Sequence, residues 1–372
     1  MRPTRVIVNM SKLDSNIKKL RNKASSKAEF MAVVKANGYG HGICEVAKQA
    51  IKSGASWLGV AIPEEGAILR AYGIRDKIFV LAETDKDQFE LVIKNDLIQT
   101  IATVEAADAL NSLAEKMNKK VKVHIKLDTG LGRIGVRSWK DLENIILKVK
   151  ACKHLILDGV FTHFATADEE DKDYTLKQID SFNKALDGLR NRGLVVNYIH
   201  AANSAAILKY KESHYNLVRS GISIYGYPPW TRLDEDSIDL LPALQWETKV
   251  SYIKTLGDGE SVSYGRNFIV SGERKIATLP VGYADGYKRQ LSNKADVLIN
   301  GQRAPVVGSI CMDQIMIDVS ALADVKLGDK VVLLGEQGKE RISAVELASK
   351  CNTISYEILT SISDRVPRLY IR

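Results

Sequence analysis

Eight short β-rich runs, separated by amphipathic stretches, constrain the fold of this chain more than any other feature. They are Phe30–Lys35, Trp57–Ala61, Lys77–Leu81, Ile98–Ala102, Lys122–Leu127, Ile156–His163, Tyr198–Ala202 and Leu217–Gly221. The intervening segments carry helical spacing. So does Ser11–Leu20 ahead of the first run, where Leu13, Ile17 and Leu20 share one face. Ser11-Lys12-Leu13-Asp14 reads as a capping box at the start of that helix. Strand and helix in alternation predict a parallel sheet, and eight repeats predict its closure into a (β/α)8, TIM-like barrel. An open doubly wound sheet is the competing architecture.

After Tyr227-Pro228-Pro229-Trp230 the helical spacing fades and short alternating runs take over: Thr248–Tyr252, Arg274–Val281, Asp296–Ile299, Ala304–Val307 and Lys330–Leu334. Asn300-Gly301 lies between two of them and signals a type I′ hairpin, whose central residues both need positive φ. Glu336-Gln337-Gly338 looks like a second hairpin turn. A chain of 372 residues also exceeds one ordinary core. The reading is α/β plus β: a barrel over residues 1–238 and a mainly β domain over 239–372, with the boundary between Pro228 and Leu241. The early run Val6–Asn9 is a candidate to pair with the second domain.

Composition narrows function by exclusion. With 45% hydrophobic and 26% charged residues, the chain is globular rather than disordered. No stretch is long enough to span a bilayer, and Met1-Arg2-Pro3-Thr4-Arg5 does not lead into the apolar core of a signal peptide. Cys44, Cys152, Cys311 and Cys351 lack CxxC spacing and suit free thiols in a reducing cytoplasm better than bridges or a zinc site. The net charge is +8, yet Lys18, Lys19 and Lys23 lie along a helical segment, as a solvated face would. No basic stripe interleaved with aromatics points to nucleic acid. The charge suits anionic small molecules.

Chemistry-bearing residues gather where the runs end, which is where barrel enzymes place their sites. Val33-Val34-Lys35-Ala36-Asn37-Gly38-Tyr39-Gly40-His41-Gly42 sets a lysine at the end of an apolar run. Desolvation there lowers an ammonium pKa and leaves a nucleophilic amine. The glycines let backbone approach a ligand, and Tyr39 offers a phenol to an anion. After the fifth run, Lys126-Leu127-Asp128-Thr129-Gly130-Leu131-Gly132-Arg133 surrounds one arginine with glycines, a loop suited to presenting a guanidinium to an oxygen anion. The sixth ends in Phe161-Thr162-His163-Phe164, the seventh in His200-Ala201-Ala202-Asn203-Ser204, and the eighth in Val218-Arg219-Ser220-Gly221-Ile222. Small residues and a hydroxyl after the last two runs suit a phosphate site built from backbone N–H groups. Taken singly, His163 fits a satisfied core histidine and Ser204 an ordinary turn.

These strings, together with Ser263-Tyr264-Gly265-Arg266, Ser309-Ile310-Cys311-Met312-Asp313-Gln314, Tyr283 and Tyr356, resemble those of the alanine racemases over nearly the whole chain. The resemblance implies that Lys35 holds pyridoxal 5'-phosphate as a Schiff base and that Tyr264 is a second catalytic residue on the opposite face of the substrate. It implies that Arg133 contacts the cofactor's phenolic oxygen and the substrate carboxylate, and that Lys126, carbamylated, holds that arginine. His163 then links the active-site tyrosine to Arg219, and Arg219 faces the pyridine nitrogen. Ser204, Gly221 and Ile222 hold the phosphate with Tyr39 and Tyr356. Met312 and Asp313 close the substrate site, and Tyr283 and Tyr356 narrow its entrance. Relatives often carry arginine where this chain has Ser309, which leaves charge gating of the entrance open.

The activity so implied is interconversion of L- and D-alanine by two bases, supplying D-alanine for peptidoglycan, in a homodimer with shared active sites. A serine or broad-specificity racemase is the alternative, since a pocket shaped for a methyl rejects one added hydroxyl only weakly. A non-catalytic carrier of the cofactor is disfavoured by the second domain and Tyr264, and an amino-acid decarboxylase by Arg219. An arginine only donates, so the ring nitrogen opposite it stays unprotonated and the electron sink is limited.

Overall fold

The computed structural model describes residues 2–230 and 238–372. The chain forms two compact units. One comprises Leu13–Gly38 and Ile43–Leu241, and the other Met1–Lys12, Tyr39–Gly42 and Pro242–Arg372. The expected boundary, Pro228 to Leu241, includes residues 231–237, which lie outside the described residues.

The first strand, β1 (Arg5–Asn9), belongs to the second unit, and a helix, Met10–Lys23, follows it. The Asn9 side chain caps this helix, its Oδ1 accepting from the Lys12 N–H at 3.0 Å. The expected capping box at Ser11 is therefore displaced by two residues, because Asn9 sits where the extended strand turns into helix. Leu13, Ile17 and Leu20 are fully buried along one face, as their spacing predicts.

The first unit carries eight parallel strands: β2 (Glu29–Val33), β3 (Trp57–Val60), β4 (Lys77–Glu83), β5 (Ile98–Ile101), β6 (Val121–Lys126), β7 (Leu155–Phe161), β8 (Tyr198–His200) and β9 (Leu217–Ser220). Their order is β8-β7-β6-β5-β4-β3-β2-β9, so β2 pairs with β9 as well as β3 and the sheet curls into a nearly closed barrel. Between β8 and β9 the Arg219 N–H donates to the Ala202 carbonyl at 3.0 Å, and Asn216 Oδ1 accepts from the Ile199 N–H at 2.7 Å. The open doubly wound alternative is excluded.

Met31, Trp57, Phe79, Ile98, Phe161 and Leu217 pack together inside the barrel. Each such side chain contributes roughly 1.5–3 kcal/mol on removal from water. At the end where the strands begin, the first residues of β2, β3, β4 and β8 form a polar seal. Glu29 accepts from Trp57 Nε1 at 2.6 Å and from Lys77 Nζ at 3.2 Å, and Lys77 Nζ donates to the Tyr198 hydroxyl at 2.6 Å.

The second unit is mainly β. Its larger sheet runs β14 (Gln302–Pro305), β13 (Asp296–Ile299), β16 (Lys330–Gln337), β10 (Leu244–Lys249), β1 and β18 (Arg368–Ile371), with β17 (Glu340–Ile342) paired to β16. The smaller sheet is β11 (Tyr252–Leu256), β12 (Arg274–Leu279) and β15 (Ile315–Asp318). Val6–Asn9 does pair here, antiparallel to β10 and parallel to β18. The expected run Thr248–Tyr252 divides between β10 and β11, which lie in different sheets. Asn300 (φ 50°) and Gly301 (φ 76°) make the hairpin turn between β13 and β14. Helices Ala344–Cys351 and Ser355–Thr360 interrupt the β texture.

Candidate active site

Strand β2 ends at Val33, so Lys35 sits in the turn beyond it rather than in the strand. Ala36, Asn37, Gly38 and Tyr39 all take positive φ, between 50° and 61°, a left-handed turn that costs roughly 1–2 kcal/mol per non-glycine residue. Three bonds hold it. The Gly38 N–H donates to the Val34 carbonyl at 2.8 Å, the Ile43 N–H to Asn37 Oδ1 at 2.9 Å, and the Ala36 N–H to Glu65 Oε1 at 2.6 Å. The other Glu65 oxygen accepts from the Ala61 N–H at 2.8 Å, tying the turn to the end of β3. Nothing in the local sequence marks Glu65 for this; it becomes visible only when the ends of β2 and β3 are neighbours. Two of the glycines here are required by the fold itself. A Cβ on Gly40 would lie 2.2 Å from the Leu359 carbonyl oxygen, and one on Gly42 would lie 1.9 Å from the Tyr370 hydroxyl.

Lys35 is half-buried, and burial together with the nearby Arg133 charge lowers its pKa, against a smaller opposing pull from Glu65. Lys126, the last residue of β6, is almost completely buried and is pulled down to about 8 by desolvation, Arg133 and Arg219. Arg133 is exposed on a loop organised by Asp128. The Asp128 carboxylate accepts from the N–H groups of Gly130, Gly132 and Arg133 at 3.0–3.1 Å. Burial pushes that carboxyl up, but these backbone donors hold it below the usual range.

Arg219 is buried and donates four ways: to His200 Nδ1 at 2.8 Å, to the Thr162 and Ala201 carbonyls at 2.9 Å each, and to His163 Nδ1 at 3.1 Å. Burial and Arg133 bring its pKa down to about 9. His163 is held neutral, well below the ordinary value, by burial and then by Arg219, Arg133, Lys126 and Lys35. Its bond to Arg219 is one half of the expected link. Among the described residues Lys35, Lys126, Arg133 and Arg219 make no ion pair, and the Arg219 Nε–H donates to no protein acceptor.

After β8 and β9, Ser204 Oγ lies 3.3 Å from Ser220 Oγ and accepts from the Gly221 N–H at 2.9 Å. The Ile222 backbone opens a short 3-10 turn, and the buried hydroxyl of Ser223 in that turn has no partner among the described residues.

The remaining expected site residues belong to the second unit. Tyr39 and Tyr356 face each other, ring centroids 6.0 Å apart. Tyr264 is 72% exposed, presented by a turn in which Ser263 takes φ 67°. Ser309 braces that turn from a buried position. Its hydroxyl donates to the Tyr264 carbonyl at 2.9 Å and accepts from Asn267 Nδ2 at 3.0 Å. Ser309 is thus a support for the Tyr264 loop. Met312 is exposed, and Asp313 pairs with Arg365 at 2.7 Å. Tyr283 is partly exposed beside Asp285, a buried carboxylate that binds Arg2 at 2.6 Å and Arg365 at 3.0 Å and accepts from the Gly282 N–H at 3.1 Å.

The donor set fits pyridoxal phosphate: an amine with lowered pKa for a carbonyl, a guanidinium that only donates for a ring nitrogen, and cations without an ion pair among the described residues for anionic groups. Such a barrel, joined in sequence to a mainly β unit, defines a class, the two-domain racemases. The family model for the alanine racemase N-terminal domain matches residues 8–229, and that for the alanine racemase C-terminal domain matches residues 243–370. The chain therefore belongs to the alanine racemase family. It is 47% identical to an alanine racemase of Halothermothrix orenii, over 99% of this chain and 97% of that one. It superposes with a TM-score of 0.94, at 40% identity, on the crystal structure of alanine racemase from Bacillus anthracis with bound L-Ala-P, covering 100% and 96% of the two chains. A histidine racemase from Leuconostoc mesenteroides shares the fold at 30% identity and TM-score 0.92, covering 100% and 98%.

Proposed function

We propose that this protein interconverts L- and D-alanine with pyridoxal phosphate held on Lys35. The observation that carries the reading is a lysine of lowered pKa, fixed by a left-handed turn at a strand end, beside three further cations that make no ion pair among the described residues. When bound, the cofactor supplies a carbonyl for an amine and an electron-withdrawing ring for the substrate α-carbon. The chain supplies the rest. Lys35, whose pKa burial and Arg133 lower, removes or returns the α-proton on one face, and Tyr264 does so on the other. Each such base is worth roughly 10²–10⁴-fold in rate. Arg133 binds the substrate carboxylate, with Met312 and Asp313 closing the site and Tyr283 and Tyr356 narrowing its mouth. Ser204, Gly221, Ile222, Tyr39 and Tyr356 hold the phosphate. Arg219 would serve the ring nitrogen and, being only a donor, would keep it unprotonated.

Three parts of this reading go further. Lys126 is a carbamate in the working enzyme: a buried amine with pKa about 8 has a free electron pair for carbon dioxide, and the product is an anion beside Arg133 and Arg219. The exposed Tyr264 turn serves the site of a second copy in a homodimer. The product is D-alanine for peptidoglycan, made in the cytoplasm, a compartment that suits four unpaired thiols. Borohydride reduction of the loaded protein followed by peptide mapping will place the cofactor on Lys35; a label on Lys126 instead overturns the assignment. Tyr264→Phe will keep the cofactor and lose roughly 10²–10⁴-fold in D-alanine formation. Full activity in that variant overturns the two-base reading.

A further inference from the structure

Among the described residues no carboxylate contacts the buried guanidinium of Arg219, and burying an uncompensated charge is expensive. Its hydrogen bonds lead to a carboxylate further down the barrel. Arg219 Nη1 lies 2.8 Å from His200 Nδ1, His200 Nε2 lies 2.8 Å from His124 Nδ1, and His124 Nε2 lies 3.4 Å from Asp158 Oδ2. All four side chains are buried, among Trp57, Phe79, Phe161 and Tyr198.

The proton positions along this line follow from one fact: a guanidinium only donates. His200 Nδ1 must accept, so the proton of a neutral His200 is on Nε2 and is donated to His124 Nδ1. The proton of His124 is then on Nε2 and is donated to Asp158. Burial and Arg219 hold His200 neutral, and burial holds His124 neutral against the opposing pull of Asp158. Every bond in the line points the same way, from cation to anion, which is the arrangement in which each hydrogen bond polarises and strengthens the next. Asp158 is kept ionised: burial pushes its pKa up, but the bonds from His124 and from Asn197 Nδ2, at 2.8 Å, outweigh it.

The backbone is shaped for this line. In the pairing of β6 with β7, Val123 faces Leu157 and His124 faces Gly159, so Asp158 is the extra residue of a β-bulge. A bulge re-aims a side chain, and here Asp158 is brought to a residue inside the barrel. Gly159 makes the space, since a Cβ there would lie 2.7 Å from His124 Nδ1 and 2.8 Å from the Tyr198 carbonyl oxygen.

We propose that Asp158 is the counter-ion of Arg219, joined to it through His124 and His200 rather than by contact. Asp158, His124 and His200 are then positioning residues that hold the charge of the arginine. That the arginine faces a ring nitrogen rests on the reading given above; the relay itself does not. The experiment uses the full-length chain with ¹⁵N-labelled histidine, with and without pyridoxal phosphate. Both His124 and His200 should carry their proton on Nε2 and none on Nδ1 at neutral pH, in both states. A proton on Nδ1 of either ring, or on both nitrogens, overturns the relay whether or not any variant folds.

A double-mutant cycle then tests the charge coupling. Asp158→Asn should lower the folding equilibrium constant at least about tenfold more when Arg219 is present than in an Arg219→Met background, measured by denaturant at a fixed cofactor concentration. If Asp158 serves only to bind Asn197 and His124, the two losses will be equal and the counter-ion role is refuted. Borohydride mapping and the D-alanine assay judge the racemase reading separately, so the failure of one is not mistaken for the failure of the other.

Discussion

The two ends of the barrel hold the same residue type under opposite electrostatics. Where the strands begin, Lys77 is flanked by Glu29 and Tyr198. Burial pulls its pKa down, but bonds to Tyr198 and Glu29 outweigh it and the ammonium is held above its ordinary value. Where the strands finish, Lys35 and Lys126 have arginines for neighbours and, among the described residues, no paired carboxylate, and both are lowered. All three are lysines in or beside parallel strands of one barrel. The difference lies in the surroundings: bonded oxygens hold Lys77 above its ordinary value, whereas burial first and neighbouring arginines second lower Lys35 and Lys126. One end therefore contributes stability and the other reactivity, at some cost in stability.

Five substitutions would break or sharpen that contrast. Lys35→Ala should reduce racemisation by about 10⁴-fold or more, because it removes both a base and the amine that anchors the cofactor. The measurement is D-alanine formation at saturating pyridoxal phosphate, and substantial residual activity would move the chemistry elsewhere. Arg219→Glu should lower racemisation by roughly 10²–10³-fold and raise the share of alanine converted to pyruvate. A carboxylate there would favour a protonated ring nitrogen and so a stronger electron sink. With cofactor binding checked, an unchanged ratio of racemisation to pyruvate formation would show that Arg219 does not select the reaction. Arg219→Lys should change that ratio much less, since the charge survives. It still leaves acceptors unmet, because three ammonium donors cannot serve four.

Lys126→Met should stabilise the chain in carbon-dioxide-free buffer at pH 7. The unfolded lysine binds its proton with pKa about 10.4, against about 8 when folded. The unfolded state therefore holds more protons between those values, and stability rises with pH across that window. The penalty removed is about 3 kcal/mol below pH 8, fading to nothing near pH 10.5. Urea unfolding across that range reads it, and the gain should shrink in bicarbonate, where ¹³C NMR should show a carbamate signal absent from the variant. Lys77→Ala should cost only about 1 kcal/mol, since the pair is part-exposed, and should leave racemisation unchanged. A large activity loss there would mean that the two ends are coupled in a way the contrast does not allow.

Legibility in the sequence was uneven for physical reasons. Each of the eight barrel strands follows from short-range patterning, because a buried parallel strand must be apolar over its own length whatever lies beside it. Turns with obligatory positive φ were equally plain at Asn300-Gly301. The cap at Asn9 and the split of Thr248–Tyr252 between two sheets were misread by a few residues, since neighbouring positions offer almost the same local chemistry. Glu65, Asp128, Asp158 and His124 were invisible as a group. Each is an unremarkable polar residue in sequence, and each acts on a partner in another strand or across a loop.

Sequence by itself determined the alternation that demands a barrel, the change of texture near Pro228, and the kinds of reactive group available at each strand end. These are local properties, carried by period, side-chain type and adjacency. Tertiary structure alone decided what those groups are. It lowered the pKa of Lys35 and Lys126 and raised that of Lys77, made Ser309 a brace for the Tyr264 turn, and supplied Arg219 with histidine partners. A pKa and a hydrogen-bond direction depend on which charges stand within a few ångströms and how much water remains. In this barrel those neighbours come from strands dozens of residues apart.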